Sequence, residues 1–415
     1  MNSSSSISMM RSKQISRKIF EYKLKSRNPK SPFFYAIIFA IVFIFCYVQS
    51  KYSNSRIRYF NSTNHGTDSS TFEVSTAVDS ENYDPLIPPA NASRQVRMAW
   101  FRTQIPKLEL LHSTPLSQQF HDRVTGFLNK GCSVLFHIIW FSPAKYFGIR
   151  EFLTMDTFFK SHPDGCLIVV SRSMDTESGY AILKPLIDRG FKVGAITPDM
   201  PFLVKDTPAE PWLELIKSGN RDPGDIPLSQ NLSNLVRLAM LYKYGGGYMD
   251  TDIIVLKDFL ELRNALGAQS LDSTTKHWNR LNNAVMMFDI NHPVVWEFLQ
   301  EFATTFNGNK WGNNGPYLVS RVMARLEGAE GHNITILPPK AFYPVDWIGI
   351  GKLYKKPEDE WESRWVESQI DELSNGESYV VHLWNKRSKN LDIEEGSVME
   401  RLVSTHCVVC GSITT

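Results

Sequence analysis

The sequence of 415 residues predicts an α/β protein built on a parallel sheet with helices on its faces. From about residue 125 onward, short apolar runs alternate with amphipathic stretches, which indicates alternating strands and helices. Cys166–Val170 is a continuous apolar run, typical of a parallel strand that is buried on both faces. In residues 228–257 a helical pattern, three glycines and an Asp-Thr-Asp triplet follow one another, and this stretch carries the strongest chemical signal.

The individual elements follow from local patterns. We predict strands at 133–140, Cys166–Val170 and 191–196, with helices at 150–160 and 180–188 between them. Gly190 ends the second helix. Open sheets of this class bind ligands beyond the carboxyl ends of their strands, so the site is expected there.

The N-terminal region predicts a membrane anchor. Residues 33–48 contain no charged or strongly polar side chain, and eight basic residues and one acidic residue precede them. The run is slightly shorter than the ~20 residues that span an average bilayer. A cleaved signal peptide and a buried core helix are the alternatives. The long basic leader and the absence of a small-residue cleavage site favour a type II anchor over both.

The predicted organisation has four parts. They are a cytosolic basic tail (1–32), a transmembrane anchor (33–49), a stem (50–125) and a single catalytic domain (126–415). Within the stem, residues 51–95 are rich in Ser, Asn, Thr and Pro and lack apolar periodicity, so they cannot offset the entropy of folding. Glycosylation sequons at Asn61, Asn91, Asn231 and Asn333 are consistent with a lumenal route, and Asn231 falls next to the expected site.

Charge and cysteines limit the function classes. The basic excess belongs to the N-terminal tail, so the remaining chain is mildly acidic and has no electrostatic footprint for nucleic acid. Outside the anchor, four cysteines permit three pairings. Neighbouring parallel strands would bring Cys132 and Cys166 together. We expect a structural disulfide for Cys407 and Cys410 rather than a redox or zinc motif.

Residues 228–257 place two acids at the mouth of a strand. Ser229, Asn231 and Ser233 are candidate N-caps for an amphipathic helix, and Gly245, Gly246 and Gly247 end it. Alternation along a strand would point the carboxylates of Asp250 and Asp252 to the same side. Two like charges there are costly unless a cation compensates them, and carboxylate oxygens suit Mg²⁺ or Mn²⁺ bridging to a phosphate. Apolar residues on both sides of the triplet argue against a solvated surface turn.

In this segment the sequence resembles the glycosyltransferases of family 32, in particular the α1,4-glycosyltransferase (lactosylceramide 4-alpha-galactosyltransferase-like) branch. Its motifs are most similar to those of plant members. The resemblance covers most of residues 130–410. Besides the Asp-Thr-Asp segment it includes Thr-Pro-Asp-Met-Pro-Phe at 197–202, Asn-Gly-Pro-Tyr at 314–317 and His-Leu-Trp-Asn at 382–385.

The resemblance implies a GT-A type nucleotide-sugar-binding fold, a Mn²⁺-assisted UDP-sugar donor and transfer with retention. By position, Asp250 would contact the ribose and donor sugar, and Asp252 would bind the metal. Asn234 and Arg237 share a helix face and would hold the donor sugar. Relatives often carry Asp at the position of Asn234, so the identity of the donor stays open.

Further candidate residues have structural alternatives. Trp140 would stack on uracil, with core packing as the alternative, and His382 would complete the metal site, although a lone His on an apolar run is often a core residue. Trp384 and Asn385 would close over the diphosphate. The segment around Asn283 and the loop with Trp311, Asn314 and Gly315 would face the acceptor. The candidate substrate-binding residues are therefore Trp140, Asn234, Asn283, Asn314, Gly315, Trp384 and Asn385.

The sequence thus predicts a Golgi type II membrane enzyme that moves a sugar, α-galactosyl as the first choice, from a UDP-sugar to a glycan or glycolipid. Its expected catalytic residues are Asp250, Asp252 and Arg237, and its metal ligands are Asp252 and His382. The alternatives are a UDP-N-acetylglucosamine-using α1,4-transferase and a non-catalytic lumenal glycan-binding or scaffold protein. A phosphatase is disfavoured, because its aspartates would follow an early strand and not a helix with three glycines.

Overall fold

The computed structural model describes residues 86–409, which belong to one compact unit. The predicted anchor at 33–49 and most of the predicted stem lie outside these residues. Within 86–409, no helix is both long and apolar enough to cross a bilayer.

Helices and strands alternate from Phe120 to Ile196, and the chain then runs through three consecutive helices, four consecutive strands and a more irregular C-terminal part. The strands are β1 (Leu135–Ile139), β2 (Cys166–Val170), β3 (Lys192–Ile196), β4 (Gly246–Met249), β5 (Ile253–Val255), β6 (Ala265–Leu271), β7 (Trp278–Phe288), β8 (Thr335–Leu337) and β9 (Val380–His382). The helices are α1 (Arg94–Gln104), α2 (Phe120–Leu128), α3 (Ile149–Ser161), α4 (Glu177–Ile187), α5 (Met200–Val204), α6 (Glu210–Lys217), α7 (Leu228–Tyr244), α8 (Pro293–Thr305), α9 (Pro316–Leu326), α10 (Pro339–Phe342), α11 (Glu360–Asn375), α12 (Asn385–Ser388) and α13 (Val398–His406).

The central sheet is mixed, with a parallel block at one side. Its seven strands lie in the order β3-β2-β1-β4-β7-β6-β8. β3, β2, β1 and β4 are parallel, β7 is antiparallel to both β4 and β6, and β8 is parallel to β6. A second, two-stranded sheet pairs β5 with β9. The predicted α/β class with helices around a parallel-rich sheet is confirmed.

The core lies on both faces of this sheet. Along β2, Ile168 and Val170 pack into one apolar cluster, whereas Leu167 and Val169 pack into the cluster on the opposite face. All four side chains are fully buried. The continuous apolar run thus reflects a strand that is covered on both sides, as predicted.

Part of the predicted stem is folded. In α1, Phe101 is buried in the main apolar cluster, and Leu111 of the following 3-10 turn joins it. Arg97 is 4% exposed and its guanidinium bonds to Asp222 at 2.7 Å. Packed chain therefore begins before the predicted boundary at residue 126. The sequence indicated a stem from the polar run at 51–95, and the apolar residues of α1 lie just beyond that run.

A disulfide joins Cys132 and Cys166, whose Cα atoms lie 5.4 Å apart. Cys166 opens β2, and Cys132 lies just before β1, which pairs with β2 in parallel. The expected proximity of these two thiols is confirmed. Cys410 lies outside the described residues, so the pairing predicted for Cys407 and Cys410 stays a prediction.

The helix before the triplet begins earlier than the predicted caps indicated. α7 begins at Leu228 directly after Pro227, so the predicted caps Ser229, Asn231 and Ser233 lie within it. At its end, Gly245 and Gly246 have φ angles of 64° and 82°, which only glycine adopts readily. A side chain at Gly247 would collide with the ring of Phe136, at 2.3 Å. The three glycines therefore allow a helix to turn directly into a central strand.

Candidate active site

The site lies where the strand order of the sheet reverses. β1 pairs with β2 on one side and with β4 on the other, so loops leave the carboxyl ends of β1 and β4 in different directions. Trp140 follows β1 and Asp250 follows β4. A crevice between diverging loops at this point is the usual ligand site of such sheets.

A cavity of about 850 Å³ opens at this edge of the sheet. Apart from Gly315, all the predicted site residues line it. They are Trp140, Asn234, Arg237, Asp250, Asp252, Asn283, Asn314, His382, Trp384 and Asn385. A volume of this size accommodates a ligand of several rings, because pockets for drug-sized molecules fall within the same range.

Three ligand atoms converge at the cavity wall. One atom each from Asp250, Asp252 and His382 lie within 4.8 Å of one another. Carboxylate oxygens with one imidazole nitrogen form a donor set that suits a divalent cation such as Mn²⁺. The set fits the predicted cation, and the cluster includes Asp250 in addition to the two predicted ligands.

The two aspartates converge for a reason other than strand alternation. β4 ends at Met249, and β5, which starts at Ile253, belongs to the second sheet, so the triplet is a connection between two sheets. The expectation that alternation along one strand aligns the carboxylates was wrong. In the second sheet Ile253 pairs with His382, and this register brings His382 next to Asp252.

Asp250 is held by a buried arginine and a tyrosine. Nη1 of Arg237 lies 3.0 Å from Oδ1 of Asp250, and the hydroxyl of Tyr248 donates to the same oxygen at 2.5 Å. Arg237 also donates to the backbone oxygen of Asn283 at 2.8 Å and lies over the Tyr248 ring at 4.2 Å. Its Nε and Nη2 donate to the backbone oxygen and hydroxyl of Ser233 at 3.3 and 3.2 Å, so most of the guanidinium donors are occupied. Arg237 therefore positions Asp250 and is not a freely exposed cation.

Burial raises the pKa of the Asp250 carboxyl above its usual range. Arg237 opposes the rise, and the negative charge of Asp252 adds to it. A cation in the cluster would remove this repulsion, which is the electrostatic reason for two acids at one place.

Asp252 is oriented by the chain that follows β9. The backbone N–H of Asn385 donates to Oδ2 of Asp252 at 2.8 Å, and Nε2 of His382 lies 3.5 Å from Oδ1. The backbone N–H of Trp384 donates to Nδ1 of His382 at 3.1 Å, and this contact turns Nε2 toward Asp252. The residue that makes this contact, Trp384, has a left-handed backbone with a φ angle of 53°.

The asparagine carboxamides that line the cavity near Arg237 form pairs. Nδ2 of Asn283 donates to Oδ1 of Asn234 at 2.9 Å. Gly315 lies behind this pair, since a Cβ atom there would approach Oδ1 of Asn234 to 2.8 Å. Gly315 therefore allows the loop to pack against Asn234, while Asn314 lines the cavity and bonds to Asn231 at 2.8 Å.

The two predicted aromatic residues flank the cluster. Trp140 packs edge-on against Phe147 with 5.1 Å between ring centroids, and its partly exposed ring borders the cavity. Trp384 contacts His382 at 4.2 Å between centroids, and its indole N–H donates to the backbone oxygen of Val345 at 2.9 Å. Both rings are fixed at the cavity wall.

The structure adds a basic segment that sequence reasoning missed. Lys386, Arg387 and Lys389 follow His382 in the chain and line the cavity. Their spacing after the His-Leu-Trp-Asn motif was the available signal. Glu151 at the start of α3 also lines the cavity, and burial raises its pKa. The result is a cavity with a carboxylate cluster beside a set of exposed cations.

Two family models match the chain. The alpha 1,4-glycosyltransferase conserved region matches residues 287–414, and the glycosyltransferase sugar-binding region containing the DXD motif matches residues 149–272. The second match contains Asp250 and Asp252, and the first contains His382 and the basic segment.

Curated relatives agree with these matches. Mouse lactosylceramide 4-alpha-galactosyltransferase is 31% identical over 266 residues, covering 61% of this chain and 68% of that protein. Human alpha-1,4-N-acetylglucosaminyltransferase is 32% identical over 221 residues, covering 50% of this chain and 58% of that protein. An uncharacterized protein of Arabidopsis thaliana is 28% identical over 307 residues, which are 72% of this chain but 45% of that protein.

Solved structures show more distant likeness. The PaToxG glycosyltransferase superposes with a TM-score of 0.34 at 18% identity, covering 55% of this chain and 80% of that chain. The apo form of the glycosyltransferase GlyE of Streptococcus pneumoniae gives a TM-score of 0.37 at 12% identity, covering 66% of this chain and 60% of that chain. Scores this low carry no weight for function.

Proposed function

Because the chain belongs to the α1,4-glycosyltransferase branch of glycosyltransferase family 32, we propose that it transfers a hexosyl group, galactosyl as the first candidate, from a UDP-sugar to a hydroxyl of a glycan or glycolipid. The proposal includes retention at the anomeric carbon and assistance by Mn²⁺ or Mg²⁺. Its main support is the convergence of Asp250, Asp252 and His382 in the cavity that the DXD segment borders.

The chain's own residues divide the work. Asp250, Asp252 and His382 would hold the cation, which would supply positive charge to the departing diphosphate. Arg237 and Tyr248 fix Asp250, and the Asn385 backbone fixes Asp252. Lys386, Arg387 and Lys389 add positive field at the same cavity wall. Trp140 offers a face for uracil, and Asn234 and Asn283 offer amides to sugar hydroxyls.

Retention requires no protein nucleophile in this proposal. The incoming hydroxyl attacks on the face that the diphosphate leaves, and the leaving phosphate oxygen accepts the hydroxyl proton. The protein contributes orientation and charge stabilisation, which are large terms when donors are fixed in advance.

The decisive experiment is UDP release by the purified full-length chain with Mn²⁺ across a panel of UDP-sugars, followed by an acceptor array. We expect release from one UDP-hexose and faster release with an acceptor. A phosphatase would favour simple phosphate esters, and a glycan-binding scaffold would release no UDP, so either outcome would contradict the proposal.

A second donor, UDP-N-acetylglucosamine, has specific support. The human relative named for N-acetylglucosaminyl transfer is as similar in identity as the galactosyltransferases. Asn234 also removes a negative charge that relatives often carry near the donor sugar. The same donor panel separates the two possibilities.

We further propose a type II Golgi orientation with the catalytic part in the lumen. Residues 33–48 and their basic flank support the anchor. Asn91 and Asn333 are exposed, whereas Asn231 is buried. We expect glycans on the exposed sequons and none on Asn231. Peptide mass mapping before and after deglycosylation tests this expectation. A protein that carries no glycan and whose catalytic part is cleaved by protease added to the cytosolic side would refute the topology.

A further inference from the structure

We infer that Asn231, which neither the family motifs nor the sequence analysis assigns to the site, binds a hydroxyl of the acceptor sugar. This inference rests on the proposed function and specifies its acceptor side. Asn231 is 2% exposed yet lines the cavity. A buried amide at the wall of an open cavity is a binding group whose cost of desolvation must be met by a partner.

The orientation of the Asn231 amide follows from its neighbours. The backbone N–H of Asn307 donates to Oδ1 of Asn314 at 3.0 Å, and this contact fixes which end of the Asn314 amide is oxygen. Nδ2 of Asn314 then donates to Oδ1 of Asn231 at 2.8 Å. Nδ2 of Asn231 must therefore be the atom on the other side of its amide.

This nitrogen lacks a partner in the part of the chain that the structure describes. Nδ2 of Asn231 is buried and makes no hydrogen bond within residues 86–409. An unpaired buried N–H destabilises the protein until a partner satisfies it. A hydroxyl oxygen of a sugar in the cavity would satisfy it, because a hydroxyl accepts as well as donates.

The position along α7 assigns this contact to the acceptor. Arg237 holds Asp250, Asn234 lies about one turn away, and Asn231 lies about one further turn toward the helix start; all three side chains line the same cavity. Six residues of helix separate Arg237 from Asn231 by roughly 9 Å. The donor sugar, which is joined to the diphosphate, would lie level with Asn234 and Asn283, and Asn231 lies beyond it.

An exposed aromatic ring also lines this cavity. Trp311 belongs to the loop that carries Asn314, and 52% of its side chain is exposed at the cavity wall. Lys386 contacts the Trp311 ring at 4.6 Å from the centroid. The ring is an apolar surface on which one face of a pyranose can lie while Asn231 binds a hydroxyl.

The test is acceptor kinetics of the full-length chain with methyl β-galactoside, methyl β-lactoside and their monodeoxy forms. For Asn231→Ala we expect the acceptor KM to rise about tenfold, as for loss of one hydrogen bond to a buried donor, with less than a twofold change in donor KM. With the wild type, one monodeoxy acceptor should have a KM about tenfold higher than that of its parent. With Asn231→Ala, the KM values of this monodeoxy acceptor and its parent should be equal. Trp311→Ala changes an exposed residue and should also raise the acceptor KM.

Asn129→Ala is the matched control, since it removes an exposed asparagine that lies outside the cavity and belongs to no sequon, and it should leave both KM values unchanged. The inference is overturned if Asn231→Ala leaves the acceptor KM unchanged. It is also overturned if the donor KM rises as much as the acceptor KM in Asn231→Ala. The same holds if Asn231→Ala raises the KM of the parent acceptor and of every monodeoxy acceptor by the same factor, which is the result expected of a purely structural role. Failure of the wild type to release UDP from any UDP-sugar would instead refute the proposed function.

Discussion

The guanidinium of Arg237 lies 3.0 Å from the carboxylate of Asp250, on the wall of the same cavity in which Asp252 faces His382 at 3.5 Å. One helix thereby fixes the first acid of the triplet, and a separate two-stranded sheet fixes the second. The charge of the triplet is balanced on one side by a resident cation, Arg237. The opposite side faces the cavity, where the proposed metal would bind.

Replacement of Arg237 by alanine should therefore affect both stability and catalysis. The variant leaves Asp250 beside Asp252 without a counter-charge, and we expect a loss of about 2 kcal/mol in the free energy of unfolding, less than for a fully buried pair because the Asp250 side chain is 29% exposed. Donor turnover should also fall. Arg237→Ala combined with Asp250→Asn should regain most of the stability in urea unfolding but no activity. Unchanged donor KM and turnover in Arg237→Ala would remove it from the site.

Asp252→Asn should abolish transfer without unfolding the protein. Asparagine still offers an oxygen to the backbone N–H of Asn385, which alanine would not, so the loop keeps its contact. Loss of a charged ligand should lower turnover at least about a hundredfold, the equivalent of about 2.7 kcal/mol. Mn²⁺ binding by calorimetry and UDP release measure the two effects. Asp392→Asn, at an exposed acid, is the control, and full activity of Asp252→Asn would refute the metal assignment.

Removal of the disulfide should lower stability. Cys132 and Cys166 close a loop with a sequence separation of 34, and chain-entropy reasoning gives about 3–4 kcal/mol for a loop of this length. The double variant Cys132→Ala with Cys166→Ala should unfold at a lower temperature, and added reductant should lower the Tm of the wild type more than that of the variant. Equal Tm values for both proteins in oxidising buffer would contradict a stabilising role.

Acidification should destabilise the fold through His137. This side chain is fully buried in β1, its Nε2 bonds to the backbone oxygen of Gly245 at 3.0 Å, and burial lowers its pKa to about 4. The unfolded chain binds this proton near pH 6.5, so the stability that is present above pH 6.5 is lost as the pH falls toward 4.

Between pH 7 and pH 5 the loss of unfolding free energy caused by His137 amounts to about 2 kcal/mol. His137→Gln cannot titrate there, so its unfolding free energy should lack that component. Chemical unfolding of both proteins across the pH range isolates the difference, because the other titrating groups are shared. Parallel pH profiles would show that His137 does not contribute.

Local sequence patterns were sufficient for much of the parallel block. β2 has the predicted bounds, β1 and β3 fall within one or two residues of the predicted strands, and the glycines end α7 as expected. These elements carry their signal in consecutive residues, through an apolar run or a change of backbone conformation. Asp250, Asp252 and His382 were likewise recognisable from the sequence, because the family motifs that contain them are short and contiguous.

Features that depend on distant contacts were not predictable in the same way. The convergence of Asp252 with His382 depends on the pairing of β5 with β9, and strand alternation gave the wrong reason for it. The N-terminal α1 was assigned to a stem because its burial depends on Asp222 and on apolar residues far along the chain. Asn231 gave only a sequon and a helix-cap signal, since its unpaired amide depends on the orientation of Asn314.

The pairing of Ile253 with His382 also has a consequence for biosynthesis. A nascent chain can complete the parallel block while the ribosome is still translating the second half, but it then lacks the strand that carries the histidine. Catalytic competence should therefore arise abruptly, near the end of synthesis. Prematurely terminated products that lack this strand would retain a folded sheet and be inert toward the donor.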